Sequence, residues 1–247
     1  MSTEPDEASP LDELITKYSP YLKEIRKRIF FILLFFAVAV VIGFFLYDKI
    51  LRLIVEFLSL KGLNIVFTSP FQFINLAISC GIATGLVSVF PIMIYQILSF
   101  LKPGLKGKEF KMLILFLPLS IILFLSGFSF GLVIMKWQIQ IFLASSNSIG
   151  IGNILDISHL IGIVLIISVL MGLAFQFPII LFLLMRLGIV KPGQLSKKRL
   201  WIYLGSFIFA ILLPADSIIA DILLTLPLIV LFELSLVINR IFEKRNA

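Results

Sequence analysis

The residues Tyr-Leu-Lys-Glu-Ile-Arg-Lys-Arg at positions 21–28 run directly into residues 29–47, which contain no charged side chain. A bilayer core needs about 20 consecutive apolar residues in a helix, and clusters of Lys and Arg stay on the cytoplasmic side of a membrane. This junction therefore predicts a membrane-spanning helix whose amino end lies in the cytoplasm. Glu24 is unexpected within the basic cluster, because a topology signal needs no carboxylate.

The composition of the whole chain is typical of a polytopic membrane protein. Of its 247 residues, 60% are hydrophobic and 14% are charged, and the mean hydropathy is +1.12. A soluble domain of this length cannot hide so much apolar surface, so we expect the lipid bilayer to surround most of the chain. The net charge of +7 does not indicate nucleic-acid binding, because the basic residues lie in loops beside apolar segments.

Several function classes are disfavoured by what the chain lacks. Cys80 is the single cysteine and His159 the single histidine, which argues against an internal disulfide and a metal site built from these residues. We therefore expect no metal and no other cofactor. An intramembrane hydrolase needs a nucleophile and a base at membrane depth, whereas His159 lies at the edge of a predicted span. We expect that the protein is not an enzyme.

The order of apolar and polar segments predicts an all-α fold with six transmembrane helices. We expect one membrane domain, with a cytoplasmic amphipathic segment at residues 1–28 and a basic tail at 239–247. The acidic, proline-containing start does not resemble a cleavable signal peptide. The predicted spans are residues 29–47, 73–101, 112–135, 160–187, 200–213 and 218–238.

Two shorter features lie between the first and second spans. Residues 48–68 alternate apolar and charged side chains, which predicts a helix at the membrane surface rather than a further span. The residues Ser-Pro-Phe-Gln at 69–72 have a capping-box pattern, in which Gln72 would bond back to the start of the second span.

The distribution of basic residues supports this layout. With the amino end inside, four basic residues fall in outer segments and seventeen in inner ones, which places both termini in the cytoplasm. The outer residues are Lys49, Arg52, Lys61 and Lys136.

The fifth span and the prolines bear on the shape of the bundle. Fourteen residues at 200–213 reach about 21 Å as a helix, well short of the roughly 30 Å hydrocarbon core. Such a mismatch predicts local thinning of the bilayer or shielding by neighbouring helices. Prolines interrupt four spans and predict kinks and a concave face; they are Pro91, Pro118, Pro178 and Pro227.

Ordered motifs along nearly the whole chain resemble the TatC subunit of the twin-arginine protein translocase. The run at residues 21–28 is similar to that family's amino-terminal signature, and Ser69-Pro70 precedes the second span as expected. The further matching motifs are Pro91 with Tyr95-Gln96, Phe100, Pro103 and Leu105, then Glu109, Phe175-Gln176 with Pro178, Gly188-Ile189, and Leu226-Pro227-Leu228 with Glu233. Each motif is weak alone, but their order makes the resemblance specific.

The chain departs from the family pattern at several positions. Gln72 and Gln176 stand where the family has glutamates, and Tyr21 stands where it has a histidine. The family's motif before the last span is only approximated by Pro214-Ala215-Asp216, with Asp221 further on. Because glutamine does not titrate, no proton-relay role transfers to Gln176.

The resemblance implies a subunit that recognises twin-arginine signal peptides of folded cargo at the cytoplasmic face of the cell membrane. It further implies small single-span TatA- and TatB-like partners, self-association in a receptor complex, and transport driven by the proton-motive force. Glu24 and Glu109 would receive the two arginines, since a carboxylate can accept the planar guanidinium fork in a way that lysine cannot reproduce. The alternative class is a secondary transporter, which proline-broken helices also fit.

Each proposed site residue also has a purely structural interpretation. Glu24 could pair with Arg28 or Lys27 on its own helix, and Glu109 could be a solvated loop charge. Arg26 and Arg28 could contact the signal peptide or serve only as topology anchors.

In the membrane, Gln176 with Pro178 could contact a partner helix or cargo, or the amide could cap the kink made by the proline. We expect Glu233 to pair with a cytoplasmic cation and Asp216 to cap the last span.

Overall fold

The structure is a computed structural model that describes residues 10–59, 65–66, 69–101, 107–149, 155–186, 190, 193, 195, 198–214 and 217–246. Within these ranges the chain forms eight helices and one pair of short strands. The helices are α1 (Pro10–Phe45), α2 (Tyr47–Phe57), α3 (Gln72–Leu101), α4 (Gly107–Ile149), α5 (Ile157–Ala174), α6 (Phe177–Arg186), α7 (Arg199–Ile211) and α8 (Ile218–Asn246). The all-α class is therefore confirmed.

The two strands are β1 (Ile65–Val66) and β2 (Leu155–Asp156), and they pair in parallel. Ile65 is opposite Leu155 and Val66 is opposite Asp156. This bridge joins the segment before α3 to the start of α5. The sequence did not predict it, because two residues are too few to show an alternating pattern.

Five stretches of helix are long and apolar enough to cross a membrane, and α7 is a shorter apolar helix. The five stretches are Leu22–Phe45, Gln72–Phe100, Leu117–Ser146, Ile157–Met185 and Ile218–Val237. Together with α7 they make the six apolar segments that the sequence predicts. The 13 residues of α7 reach about 20 Å, so this segment is as short as expected.

Helices extend beyond the predicted spans at three places. Residues 10–28 are continuous with the first span, because α1 runs without a break from Pro10 to Phe45. Helix α4 begins at Gly107, before the predicted start of the third span at residue 112. At its other end α4 continues to Ile149, beyond the predicted end of that span at residue 135. Residues 136–149 contain no glycine or proline that would end the helix.

Only one of the four prolines coincides with a helix break. Pro91, Pro118 and Pro227 lie inside α3, α4 and α8. Pro178 follows the turn at Phe175 and Gln176, which divides the predicted fourth span into α5 and α6. Proline has no N–H to donate and its ring crowds the preceding turn, so the helix restarts there.

The helix α5 lies at the centre of the bundle and packs against α3 and α4. Ile161, Val164, Ile167 and Met171 on α5 are fully buried and form the middle of the main apolar core. Helix α1 packs against α3, while α8 contacts α4, α6 and α7 and contributes Leu224 and Leu228 to this core. A second apolar cluster joins α6 and α8 through Leu181, Met185, Phe232 and Leu236.

Glycines set the closest approach between helices. A Cβ atom added at Gly81 would lie 2.8 Å from the carbonyl oxygen of Val40 on α1, and one at Gly127 would lie 2.6 Å from that of Met171 on α5. Gly85 and Gly131 lie four residues further along each helix. They face the same partner helices, α1 and α5, at similarly short distances. The sequence therefore contains two Gly-x-x-x-Gly interfaces, a membrane packing signal that our sequence analysis missed.

Candidate functional site

The Glu24 carboxylate binds a guanidinium within its own helix. Arg28 donates hydrogen bonds to Glu24 Oε1 from Nε at 3.1 Å and from Nη2 at 2.6 Å. One helical turn separates the two residues, so their side chains lie on the same face of α1. Among the described residues, Oε2 of Glu24 accepts no hydrogen bond. The Glu24 side chain is 48% exposed, so one edge of its carboxylate remains open to a ligand.

Arg28 is also held by α3. Its Nη1 atom donates to the backbone oxygen of Gln96 at 3.1 Å and to Oε1 of the same residue at 2.8 Å. The guanidinium carbon lies 6.0 Å from the centre of the Phe100 ring, within reach of a cation–π contact. The Arg28 side chain is 20% exposed. Arg28 therefore joins the basic end of α1 to the carboxyl end of α3.

Gln96 and Phe100 belong to the motif that resembles the family, but our sequence analysis assigned them no role in the site. The available signal was weak: Gln96 is an amide near the end of an apolar helix, one turn before Phe100. Their alignment with Arg28 depends on how α1 packs against α3, which a linear pattern does not specify.

The other cations near Glu24 are exposed. Lys23, Arg26 and Lys27 point outward from α1. Arg26 has no hydrogen bond or ion pair with any described residue, so the structure gives it no internal partner. Glu24 is therefore the one carboxylate within an otherwise basic stretch of α1.

Glu109 lies in the first turn of α4 rather than in a loop. Its side chain lies outside the described part of the structure, so its distance from Glu24 is not measured. The five residues between α3 and α4 can extend over about 20 Å at most. The backbone at Glu109 is therefore tied to the end of α3 where Gln96 and Phe100 meet Arg28.

Gln176 lies at the break between α5 and α6 and is buried against α4. Its side chain is 5% exposed, its Nε2 donates to the backbone oxygen of Ser120 at 3.0 Å, and its Oε1 accepts from Ser120 Oγ at 2.6 Å. The amide thus bridges the α5–α6 break to α4 and does not cap its own helix. Pro178 is also buried. In this structure neither residue is open to a partner, and the partner contact stays a prediction.

Glu233 pairs with a cation as the sequence predicts. Its Oε2 lies 3.3 Å from Arg199 Nη2, and its Oε1 accepts a hydrogen bond from Tyr203 Oη at 2.6 Å. These contacts hold the short helix α7 against α8. Asp216, the expected cap of the last span, lies outside the described residues. Among the described side chains, no group of three His, Cys, Asp or Glu residues could hold a metal ion.

The apolar helices and the carboxylate–guanidinium site at one end of the bundle define a multi-pass α-helical membrane protein. Comparison with known sequences identifies its family. The chain belongs to the Sec-independent protein translocase protein (TatC) family, because the sequence model of that family matches residues 20–227.

Curated relatives cover most of the chain. The Sec-independent protein translocase protein TatCy of Bacillus subtilis is 32% identical over 227 residues, which is 89% of this chain and 87% of the relative. The TatC protein of Listeria innocua is 29% identical over 239 residues, covering 95% and 96% of the two chains.

A solved structure has the same fold. The crystal structure described as twin arginine translocase receptor TatC in DDM superimposes with a TM-score of 0.79 at 25% identity. The match covers 88% of this chain and 98% of the crystallised one. These similarities do not favour the secondary-transporter alternative.

Proposed function

We propose that this chain is the signal-peptide receptor of a twin-arginine protein translocase, with Glu24 and Glu109 as the carboxylates that receive the two arginines. The observation that carries the proposal is the Glu24 carboxylate, which already accepts two N–H donors from one guanidinium and still exposes an edge. The relationship to proteins described as translocase subunits and as a twin-arginine translocase receptor supports the same role.

The chemistry of the two carboxylates suits this role. A guanidinium presents parallel N–H donors that match the two oxygens of a carboxylate, whereas an ammonium is a point charge. The exposed cations beside Glu24 repel every cationic ligand, so they lower affinity and leave the discrimination to the geometry of the carboxylate contact. Arg26 is a further candidate contact, because it is exposed and has no partner among the residues that the structure describes.

Membership in the family supports the following assembly. Both termini and the basic end of α1 lie in the cytoplasm, and the protein resides in the cytoplasmic membrane. TatA- and TatB-like single-span proteins and further copies of this chain complete the translocase, which uses the proton-motive force. Gln176 and Pro178 mark the mid-membrane region where a partner or cargo would act, although contact with Gln176 requires Ser120 to release the amide. We propose no catalytic activity.

The test is binding and site-specific crosslinking of a signal peptide to the full chain in detergent or liposomes. A photoreactive group at position 24 or 109 is expected to capture an Arg-Arg peptide and not a Lys-Lys peptide. Changing Glu24→Ala together with Glu109→Ala is expected to abolish Arg-Arg binding while membrane insertion is retained. Asp48→Ala is the matched control, because Asp48 is an exposed carboxylate on α2. Unchanged binding by the double variant would contradict the assignment of the site.

A further inference from the structure

The Glu24 site is occupied by a guanidinium of the chain itself. Arg28 places two donors on Oε1 alone, at 3.1 and 2.6 Å, and leaves Oε2 open. This geometry follows from the helix, since a side chain one turn away approaches the carboxylate from the side. A free arginine has no such constraint and can place its two donors on the two oxygens. Arg28 therefore makes a weaker version of the contact that an arginine ligand can make.

We infer that Arg28 is a resident competitor that any cation of a signal peptide must displace from Glu24, and that it lowers the affinities for arginine and lysine by the same factor. The inference rests on the proposed function. While Arg28 is in place, the charge of Glu24 is already neutralised, and an approaching cation also meets the positive guanidinium. A ligand gains the full carboxylate only by taking Oε1 from Arg28.

Arginine and lysine differ in what they gain by displacement. The guanidinium of a ligand exchanges the one-oxygen contact of Arg28 for a two-oxygen contact, so the exchange is favourable. A lysine ammonium lacks the planar fork and makes a contact no better than the one it replaces. Because both ligands break the same contact, Arg28 weakens both equally, which leaves an arginine ligand with a net gain and a lysine ligand with none.

Gln96 and Phe100 make the exchange possible without leaving an unpaired charge. Both hydrogen bonds from Arg28 Nη1 go to Gln96, and the Phe100 ring lies on the guanidinium. None of these contacts involves Glu24. When a ligand takes the carboxylate, Arg28 keeps its partners on α3. The cost of displacement is therefore limited to the contact with Oε1, which is the interaction that the ligand replaces.

The test compares the affinities of otherwise identical Arg-Arg and Lys-Lys peptides for the purified full chain. In Arg28→Gln the competitor is absent, so the affinities for the Arg-Arg and Lys-Lys peptides are both expected to rise by about threefold or more, with their ratio unchanged. Arg28→Lys retains the charge but not the fork, so a smaller rise in both affinities is expected. Lys27→Gln is the matched control, because it removes one exposed positive charge from the next residue.

The outcomes separate this inference from the proposed function. A rise in affinity for both peptides that is larger in Arg28→Gln than in Lys27→Gln supports the resident competitor. If Arg28→Gln does not fold, Arg28→Lys alone decides, and unchanged affinities there overturn the inference. Equal effects of Arg28→Gln and Lys27→Gln also overturn it, because general charge would then explain both. If the unmodified chain does not distinguish the peptides, or if Glu24→Gln binds normally, the proposed function itself fails.

Discussion

Gln72 Nε2 donates a hydrogen bond of 2.6 Å to Asp156 Oδ2, which joins the first residue of α3 to the residue before α5. The other oxygen of Asp156 caps α5 by accepting from the backbone N–H groups of Ser158 and His159 at 3.0 and 3.2 Å. The adjacent β1–β2 bridge connects the same two segments. Gln72 therefore has a role between helices that the capping-box pattern did not predict.

Replacing Gln72 with glutamate is expected to destabilise the protein at neutral pH. The change puts a carboxylate against the Asp156 carboxylate and removes the hydrogen-bond donor. The free energy of unfolding is therefore expected to fall by about 1–3 kcal/mol. Stability is expected to recover at acidic pH, where two neighbouring carboxyl groups can share a proton. Thermal unfolding in detergent at several pH values measures this. A variant as stable as the parent at neutral pH would show that the contact contributes nothing.

Replacing Ser120 with alanine is expected to lower stability by about 0.6–2 kcal/mol, because Gln176 Oε1 then loses its donor in a buried site. Ser126→Ala is the control on the same helix, since Ser126 is exposed and bonds only to its own helix at Leu123. The difference between the two melting temperatures is the readout. Equal effects would mean that the bridge between α4 and the α5–α6 break is not a stabilising contact.

Alanine substitution is expected to destabilise the protein at a glycine between two helices and not at an exposed glycine. Gly81→Ala is expected to destabilise the α1–α3 pair by about 1–3 kcal/mol, because the new methyl group meets the backbone of Val40, which cannot move aside easily. Gly205→Ala is the matched control, since nothing lies within 4 Å of a Cβ atom there. Unfolding in detergent measures both, and a control as damaging as Gly81→Ala would indicate a general effect of losing glycine.

The short helix α7 predicts a thin bilayer beside it. Leu200 and Leu212 are each 77% exposed near its two ends. Spin labels at these two positions are expected to lie in the polar interfaces, since the helix reaches only about 20 Å. Labels at Phe30 and Ile42, also twelve residues apart but within the longer span of α1, provide the comparison. Accessibility to a polar relaxation agent gives the depths, and a Leu212 label deep in the hydrocarbon would refute local thinning.

The orientation can be tested by labelling with a membrane-impermeant thiol reagent. Phe71→Cys, at an exposed position before α3, is expected to react in intact cells. Lys27→Cys is expected to react only after the membrane is permeabilised. Cys80 is fully buried and serves as an internal background. The reverse pattern would place the amino end of α1 outside.

The sequence alone determined the membrane class, the six apolar segments and the basic run that precedes the first of them. These features depend on local chemistry: a bilayer accepts long uncharged helices and sorts basic residues to one side. The short fifth span and the pairing of Glu233 with a cation were also predicted correctly. Helix ends were less accurate, because α1 and α4 extend beyond the apolar stretches that the patterns detect.

Only the tertiary structure decided which side chains meet. It joined Arg28 to Gln96, Gln176 to Ser120, and Gln72 to Asp156, although each pair is more than fifty residues apart in the chain. Such contacts depend on which helix faces which, and this is set by close packing at glycines and by the bridge between β1 and β2. Hydropathy contains no information on these rotations, because lipid accepts any apolar face equally well. The pairing of Glu24 with Arg28 was therefore among the alternatives that the sequence offered, but the contacts of Arg28 with Gln96 and Phe100 were not.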